Sequence, residues 1–214
     1  EISPYRYVGV NFNSQGNPNL KPSDHYNLDL KWDFNPTPTE LISLTAFYKL
    51  IKNPISRIEV ASAGGYLSYE NIADKATVAG VEIEIRKNLF VRPLSSAANG
   101  MNKLSFGLNG SYIYTNAKMP LATVTTGSQL EGAAPWIANF DLSHNFTKGN
   151  HSFINTLVLN YVSDKIYTIG TQGYQDIMEQ GMMTLDFVSQ AKLNKYVSLT
   201  LKARNLLNPS YKLS

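Results

Sequence analysis

The sequence predicts an all-β fold, a transmembrane antiparallel β-barrel present here as a wall of about eight long strands. Three observations carry this expectation. Apolar and polar residues alternate at period two in segment after segment, the segments are long, and short and long connections alternate between them. Successive side chains of a strand point to opposite faces. Each segment therefore has one apolar and one polar face, as a sheet between lipid and water requires.

The first segment, 24–35, sets Tyr26, Leu28, Leu30, Trp32 and Phe34 against Asn27, Asp29, Lys31 and Asp33. Asn35-Pro36-Thr37-Pro38-Thr39 supplies a turn, and a second strand follows over 40–52. The connection 53–74 is long. Within it Arg57–Val60 and Tyr66–Tyr69 flank Ala63-Gly64-Gly65, which reads as a hairpin extending two strands. A third strand spans 75–90, and 91–102, rich in Ser, Ala, Asn and Gly, is expected to be an extended turn. A fourth strand, 103–116, alternates Leu104, Phe106, Leu108, Gly110, Tyr112 and Tyr114 with small polar residues. The Thr-, Ser- and Gly-rich loop 117–133 leads to strands 134–147 and 151–163, joined by Lys148-Gly149-Asn150. Loop 164–180 precedes strands 181–193 and 196–206, with Asn194-Lys195 between them.

Such strands exceed the usual five or six residues of globular sheets and suffice to cross a bilayer at a tilt, which takes about nine to eleven. Short turns are expected on the periplasmic side and long loops outside, so 24–35 descends and 40–52 ascends. Trp32, Phe34, Phe90, Phe146, Phe153 and Tyr196 then fall near the lower membrane boundary. Tyr26, Tyr112, Tyr114, Trp136, Tyr161 and Tyr167 fall near the upper one, as two aromatic girdles. Leu28, Leu30, Ile83, Ile85, Leu108, Phe140, Leu142, Leu157, Leu159, Leu185, Phe187, Leu199 and Leu201 should share the lipid face. Asp29, Glu82, Glu84, Asn139, Asp141, Asp186, Lys202 and Arg204 should point inward.

Composition narrows the function. The 214 residues are 43% hydrophobic and 16% charged, below the roughly 25% charge of soluble domains. No apolar run approaches the roughly 18 residues of a membrane helix, a test that does not detect barrels. A dispersed net charge of +3 argues against a nucleic-acid partner. With no cysteine there is no disulfide, thiolate zinc site or cysteine nucleophile. His25, His144 and His151 are scattered, so no metal or other cofactor is expected. No convergent nucleophile and base or carboxylate pair stands out, so the chain is not expected to be an enzyme. The opening Glu1-Ile2-Ser3-Pro4-Tyr5 lacks the basic start and apolar core of a signal peptide. The expectation is that it lies inside a longer exported protein.

Four segments resemble the C-terminal part of a TonB-dependent outer-membrane receptor barrel, with wording nearest the Bacteroidota type. They are Gly16-Asn17-Pro18-Asn19-Leu20-Lys21-Pro22-Ser23, Leu44–Ile55, Asn71–Ala76 leading into Gly80-Val81-Glu82-Ile83-Glu84, and Arg204-Asn205-Leu206-Leu207-Asn208-Pro209-Ser210-Tyr211. Their order and spacing cover nearly the whole chain. The resemblance implies that residues 1–214 are a piece of a barrel of about 22 strands with a plug in its lumen. Plug, earlier strands and the final strand are expected outside this sequence. It also implies a bacterial outer-membrane location and energy-coupled uptake of a scarce nutrient. The implied partners are outer-membrane lipid and lipopolysaccharide, the protein's own plug, TonB, and a surface lipoprotein or larger envelope complex. Asp29, Lys31, Glu82, Glu84 and Arg86 would face the lumen and plug. Tyr167, Gln172, Tyr174 and Asp176 in loop 164–180 would meet a ligand or surface partner, because aromatics and amides suit stacking and hydrogen bonding. The alternative is a receptor-like barrel serving as a structural or assembly subunit without transport.

Overall fold

The computed structural model describes residues 5–6, 13–60, 66–94, 100–119, 129–171 and 173–214. Among these residues fourteen strands run in chain order as β1 (Tyr5–Arg6), β2 (Asn13–Ser14), β3 (Asp24–Phe34), β4 (Leu41–Lys52), β5 (Ile55–Val60), β6 (Tyr66–Asn71) and β7 (Lys75–Pro93), then β8 (Met101–Ala117), β9 (Trp136–Lys148), β10 (His151–Val162), β11 (Lys165–Thr168), β12 (Ile177–Glu179), β13 (Met182–Lys192) and β14 (Ser198–Ala203). Among the described residues there is no helix.

Eight long strands form one sheet in the order β14-β13-β10-β9-β8-β7-β4-β3. Every neighbouring pair is antiparallel. β3 and β14 lie at opposite edges, so this is an open meander rather than a closed eight-stranded barrel. The turns follow their local chemistry. Gly149, at φ 58°, occupies the two-residue turn between Lys148 and His151, where a left-handed backbone is needed. The Asn194 side chain accepts the N–H groups of Tyr196 and Val197, 2.8 and 2.9 Å away, and holds the β13–β14 turn.

Register sorts the two faces. Phe34, Ile42, Ile85, Leu108, Phe140, Leu159 and Leu185 pair in one continuous row across seven strands. Asp33, Ser43, Glu84, Asn109, Asn139, Asn160 and Thr184 make the adjoining row on the other face. The apolar face is open: Leu28 is 71% and Leu30 75% exposed. A contiguous apolar surface of this size needs a non-aqueous neighbour. Rings pack on it, with Tyr112 and Trp136 tilted and centred 4.6 Å apart and Trp32 and Phe34 stacked 6.1 Å apart.

Several sequence boundaries need correction. β7 and β8 run on to Pro93 and from Met101, and the Leu94 N–H reaches the Gly100 carbonyl at 2.9 Å, so the turn expected over 91–102 is shorter. The cause is a bulge between Asn88 and Phe90. The extra residue, Leu89, reverses the phase of alternation and ends the period-two signal before the pairing ends. The turn glycines of the 53–74 hairpin, and residues 95–99, fall outside the described residues. β14 stops at Ala203, so the inward placement of Arg204 as a strand residue does not hold. The chain leaves the sheet through Asn205 and Asn208 at φ 55° and 44°, and the Asn205 N–H donates to Asp186 Oδ1 at 2.7 Å. Short polar side chains tolerate this left-handed backbone.

Gly80 does not interrupt the β4–β7–β8 register. The Phe47 ring and the Tyr112 carbonyl occupy the space a Cβ would need. Gly80→Ala should therefore destabilise the sheet by about 1–3 kcal/mol through overpacking. Heat-modifiability of the full-length protein on semi-native gels would measure the loss, and an unshifted transition would remove the steric argument.

Candidate loop cap and charged face

The long connections do not stand apart as loops. β5 and β6 continue the β4–β7 ribbon past a bend. There Asn53 adopts φ 47°, Pro54 lacks an N–H, and residues 53 and 54 oppose the three residues 72–74. The ribbon is carried over this bend by Asn53 N–H to Asp74 O and Ile72 N–H to Pro54 O, both 3.0 Å. Beyond it, β1-β2-β6-β5 form a second, four-stranded sheet, with β2 and β6 parallel.

That second sheet is extended by the other loops. Ile169 bridges Ile58 in parallel, through Glu59 N–H to Ile169 O at 3.0 Å and Ile169 N–H to Arg57 O at 3.1 Å. β11 pairs with β12, and the segment after β14 joins β12 through paired Met178 and Ser214 hydrogen bonds of 2.8 and 3.0 Å. Tyr167 is the bulged residue of β11. Its carbonyl, freed from the ladder, turns to Arg57.

Arg57 is the hub. Its Nε donates to Tyr167 O at 3.0 Å, and its guanidinium lies 3.8 Å from the Tyr167 ring centroid. The same guanidinium pairs with Glu131 at 3.0 Å, and the Arg57 N–H donates to Glu131 Oε2 at 2.7 Å. One arginine thus holds all three long loops, using a planar fork that can bond and stack at once, which a lysine ammonium lacks. Lys165 and Glu179 add an ion pair at 3.0 Å on the neighbouring hairpin. Under these contacts Ile51, Ile58, Ile72, Ala73, Ala76, Ala117, Leu130, Ile166 and Ile169 form a buried cluster. Ile51, Ala76 and Ala117 pair across β4, β7 and β8 on the same face as Thr45 and Glu82. The cap therefore folds over one end of the polar face.

Burial pushes the Glu131 carboxyl above the ordinary carboxylate value of 4.5, with Arg57 opposing the shift. A raised folded-state pKa favours the protonated form in the folded cap. Its stabilising contribution is complete below 4.5 and is lost as pH rises through the raised value. Acidification from neutrality toward 4.5 should therefore not weaken the cap. Glu131→Gln, which keeps the acceptor for the Arg57 N–H, should preserve protease resistance and flatten its pH dependence, whereas Glu131→Ala should open the cap. Limited proteolysis between pH 5 and 8 would check both.

Further along the polar face the side chains are charged and wet. Glu84 and Arg86 pair at 2.7 Å, and Lys31 and Asp33 at 3.2 Å. Such exposed pairs contribute about 0–1 kcal/mol each. Asp141 lies across Gly107, filling the space of a missing Cβ. No group of His, Cys, Asp and Glu among the described residues could hold a metal ion.

A family model described as TonB dependent receptor-like, beta-barrel matches residues 2–206. The chain belongs to that family. No curated protein and no solved structure matched it. TonB-dependent receptors are transporters of the Gram-negative outer membrane rather than enzymes.

In this receptor barrel, Asp29, Lys31, Glu82, Glu84 and Arg86 share the polar face: Lys31 pairs with Thr45 and Thr45 with Glu82, and Arg86 opposes Gly107. The loop residues divide. Tyr167 is 9% exposed beneath Arg57, so it belongs to the cap core and not to an aromatic girdle. Asp176 Oδ1 accepts the Gly170 N–H at 2.8 Å and shapes the loop. Tyr174 is 47% exposed. Gln172 lies outside the described residues. Sequence reasoning missed Arg57 and Glu131 as a clamp. A signal existed in Ile51, Ala76 and Ala117, apolar residues at positions where the alternation calls for polar ones.

Proposed function

We propose that this chain is part of the outer-membrane wall and external cap of an energy-coupled uptake receptor. Its apolar face meets membrane lipid, with lipopolysaccharide around the loops. Its charged face lines a lumen filled by the protein's own plug, which TonB pulls from the periplasm. Residues 1–214 are read as a C-terminal barrel portion of such a receptor. The observation that carries the reading is the cap itself: three long loops, clamped by Arg57, fold over the end of the charged face. A cap so placed closes the outer mouth of a lumen and can display Tyr174 to a ligand or a surface lipoprotein.

Deleting the gene should abolish growth on one scarce nutrient, and inactivating TonB should reproduce the loss. Tyr174→Ala should weaken ligand or lipoprotein capture with the barrel intact. Normal uptake combined with failure of envelope assembly or secretion would replace transport with the structural-subunit reading.

A further inference from the structure

We infer that the inner wall beneath the cap holds the substrate, and that the substrate is a short peptide with a free amino terminus and aliphatic side chains. This rests on the uptake reading above and names its cargo. The polar face is not uniform. On β3 and β7 it carries Asp29, Lys31, Glu82 and Glu84. Across β8, β9, β10 and β13 the first inward charges below the cap, among the described residues, are Asp141 and Asp186, which share one row.

Two uncharged rows fill the space above those carboxylates. Ile137, Val162 and Met182 pair in the upper one, and Ile113 stands a row higher on β8. Asn109, Asn139, Asn160 and Thr184 pair in the lower one. The aliphatic row breaks the polar-inward alternation of a barrel strand. It begins where the cap ends. Thr115 is buried and its hydroxyl accepts the Leu130 N–H at 3.1 Å, whereas Ile113, the next inward residue down β8, is half-buried. The amides have bonding capacity to spare. Asn139 Nδ2 donates to Asn109 Oδ1 at 3.4 Å, and Asn160 Nδ2 to Thr184 Oγ1 at 3.2 Å. An amide offers two donors and two lone pairs, so each asparagine keeps unused groups.

At the β7 end the aliphatic row terminates, through Ser111, in Glu82. Glu82 is exposed and forms no ion pair among the described residues. Its carboxylate suits an ammonium group. An anionic substrate would find no lysine or arginine on β8–β13 at this level. No aromatic side chain of these four strands faces inward, and Phe47 on β4 lies over Gly80, so bases and sugars lack a stacking platform there. A peptide supplies an ammonium for Glu82, amides for the asparagine row and aliphatic side chains for the row above. From Glu82 to Met182 the row crosses four strand spacings, roughly 19 Å, the length of about six extended residues. Met182 at its far end adapts to side chains of different shape.

The test titrates an amidated hexapeptide of alternating serine and valine into the full-length protein in detergent, by calorimetry. The free amine should bind about tenfold more tightly than its N-acetylated form, and maltohexaose should not compete. Glu82→Gln should abolish the difference, Asn139→Ala should weaken both forms, and Ser143→Ala, below the band, should change neither. Absence of binding, equal affinity for the two forms, or an unchanged preference in Glu82→Gln overturns the inference. So does entry of vancomycin into cells carrying Asn139→Ala with peptide binding intact, which would put the plug against this wall. Growth separates the two readings. A nutrient requirement that still depends on TonB leaves uptake standing when the peptide fails, and independence from TonB removes both.

Discussion

Arg57→Ala should release the three external loops from one another while leaving the long sheet in place. The substitution removes two contacts to the Tyr167 carbonyl, the stacking on its ring and the partner of a half-buried Glu131. Stripping a buried pair of one member costs about 3–5 kcal/mol. Partial exposure of Arg57 and Glu131 places the effect near the lower end, at roughly 3 kcal/mol. The loss should be local. Hydrogen exchange in β5, β11 and residues 129–133 should accelerate by about two orders of magnitude, since each 1.4 kcal/mol is a factor of ten. Amides in β8–β10 should remain protected. Arg57→Lys should recover only part of the protection, because an ammonium cannot span both partners. Protection lost equally in the sheet would mean that cap and wall form one cooperative unit.

Leu142→Arg is the second large effect. Leu142 pairs with Phe106 and Leu157 in the middle of the apolar face. An arginine there should cost about 2–4 kcal/mol if the position lies near the bilayer midplane. Ser143→Arg, one residue away, should cost much less. Ser143 points to the polar face, within 3.1 Å of the Thr156 hydroxyl. Urea refolding of the full-length protein into lipid vesicles would compare the two. Equal costs would show that the faces do not see different solvents.

The two substitutions mark what was legible in the sequence. The wall could be read because a barrel strand repeats one rule along its length, and Leu28-Asp29-Leu30-Lys31 states that rule in four residues. β3 and β4 match their expected spans within one residue. The rule fails where something interrupts the period, and a single extra residue at Leu89 hid the last turn of β7. The cap was less legible because its contacts are remote in sequence. Arg57 reaches Tyr167 across 110 residues and Glu131 across 74. No local pattern announces such a meeting. Tyr167 illustrates the difficulty: an aromatic in a polar loop reads as a display residue until Arg57 is found lying over it. The charged face was readable as a stripe from Asp29, Glu82 and Arg86, whereas the burial of Ile51 within it depended on loops from elsewhere.

The stitched upper sheet sets a rule for exchanging parts among related barrels. Ile169 completes the edge of β5, residues 212–214 complete β12, and Arg57 binds two further loops. A loop transplanted singly into another receptor would arrive without the strands that it pairs with in its own parent. Diversification of the outer surface is therefore constrained to proceed by coordinated replacement. An antibody raised against any one loop as a free peptide would meet a shape that the assembled surface does not present.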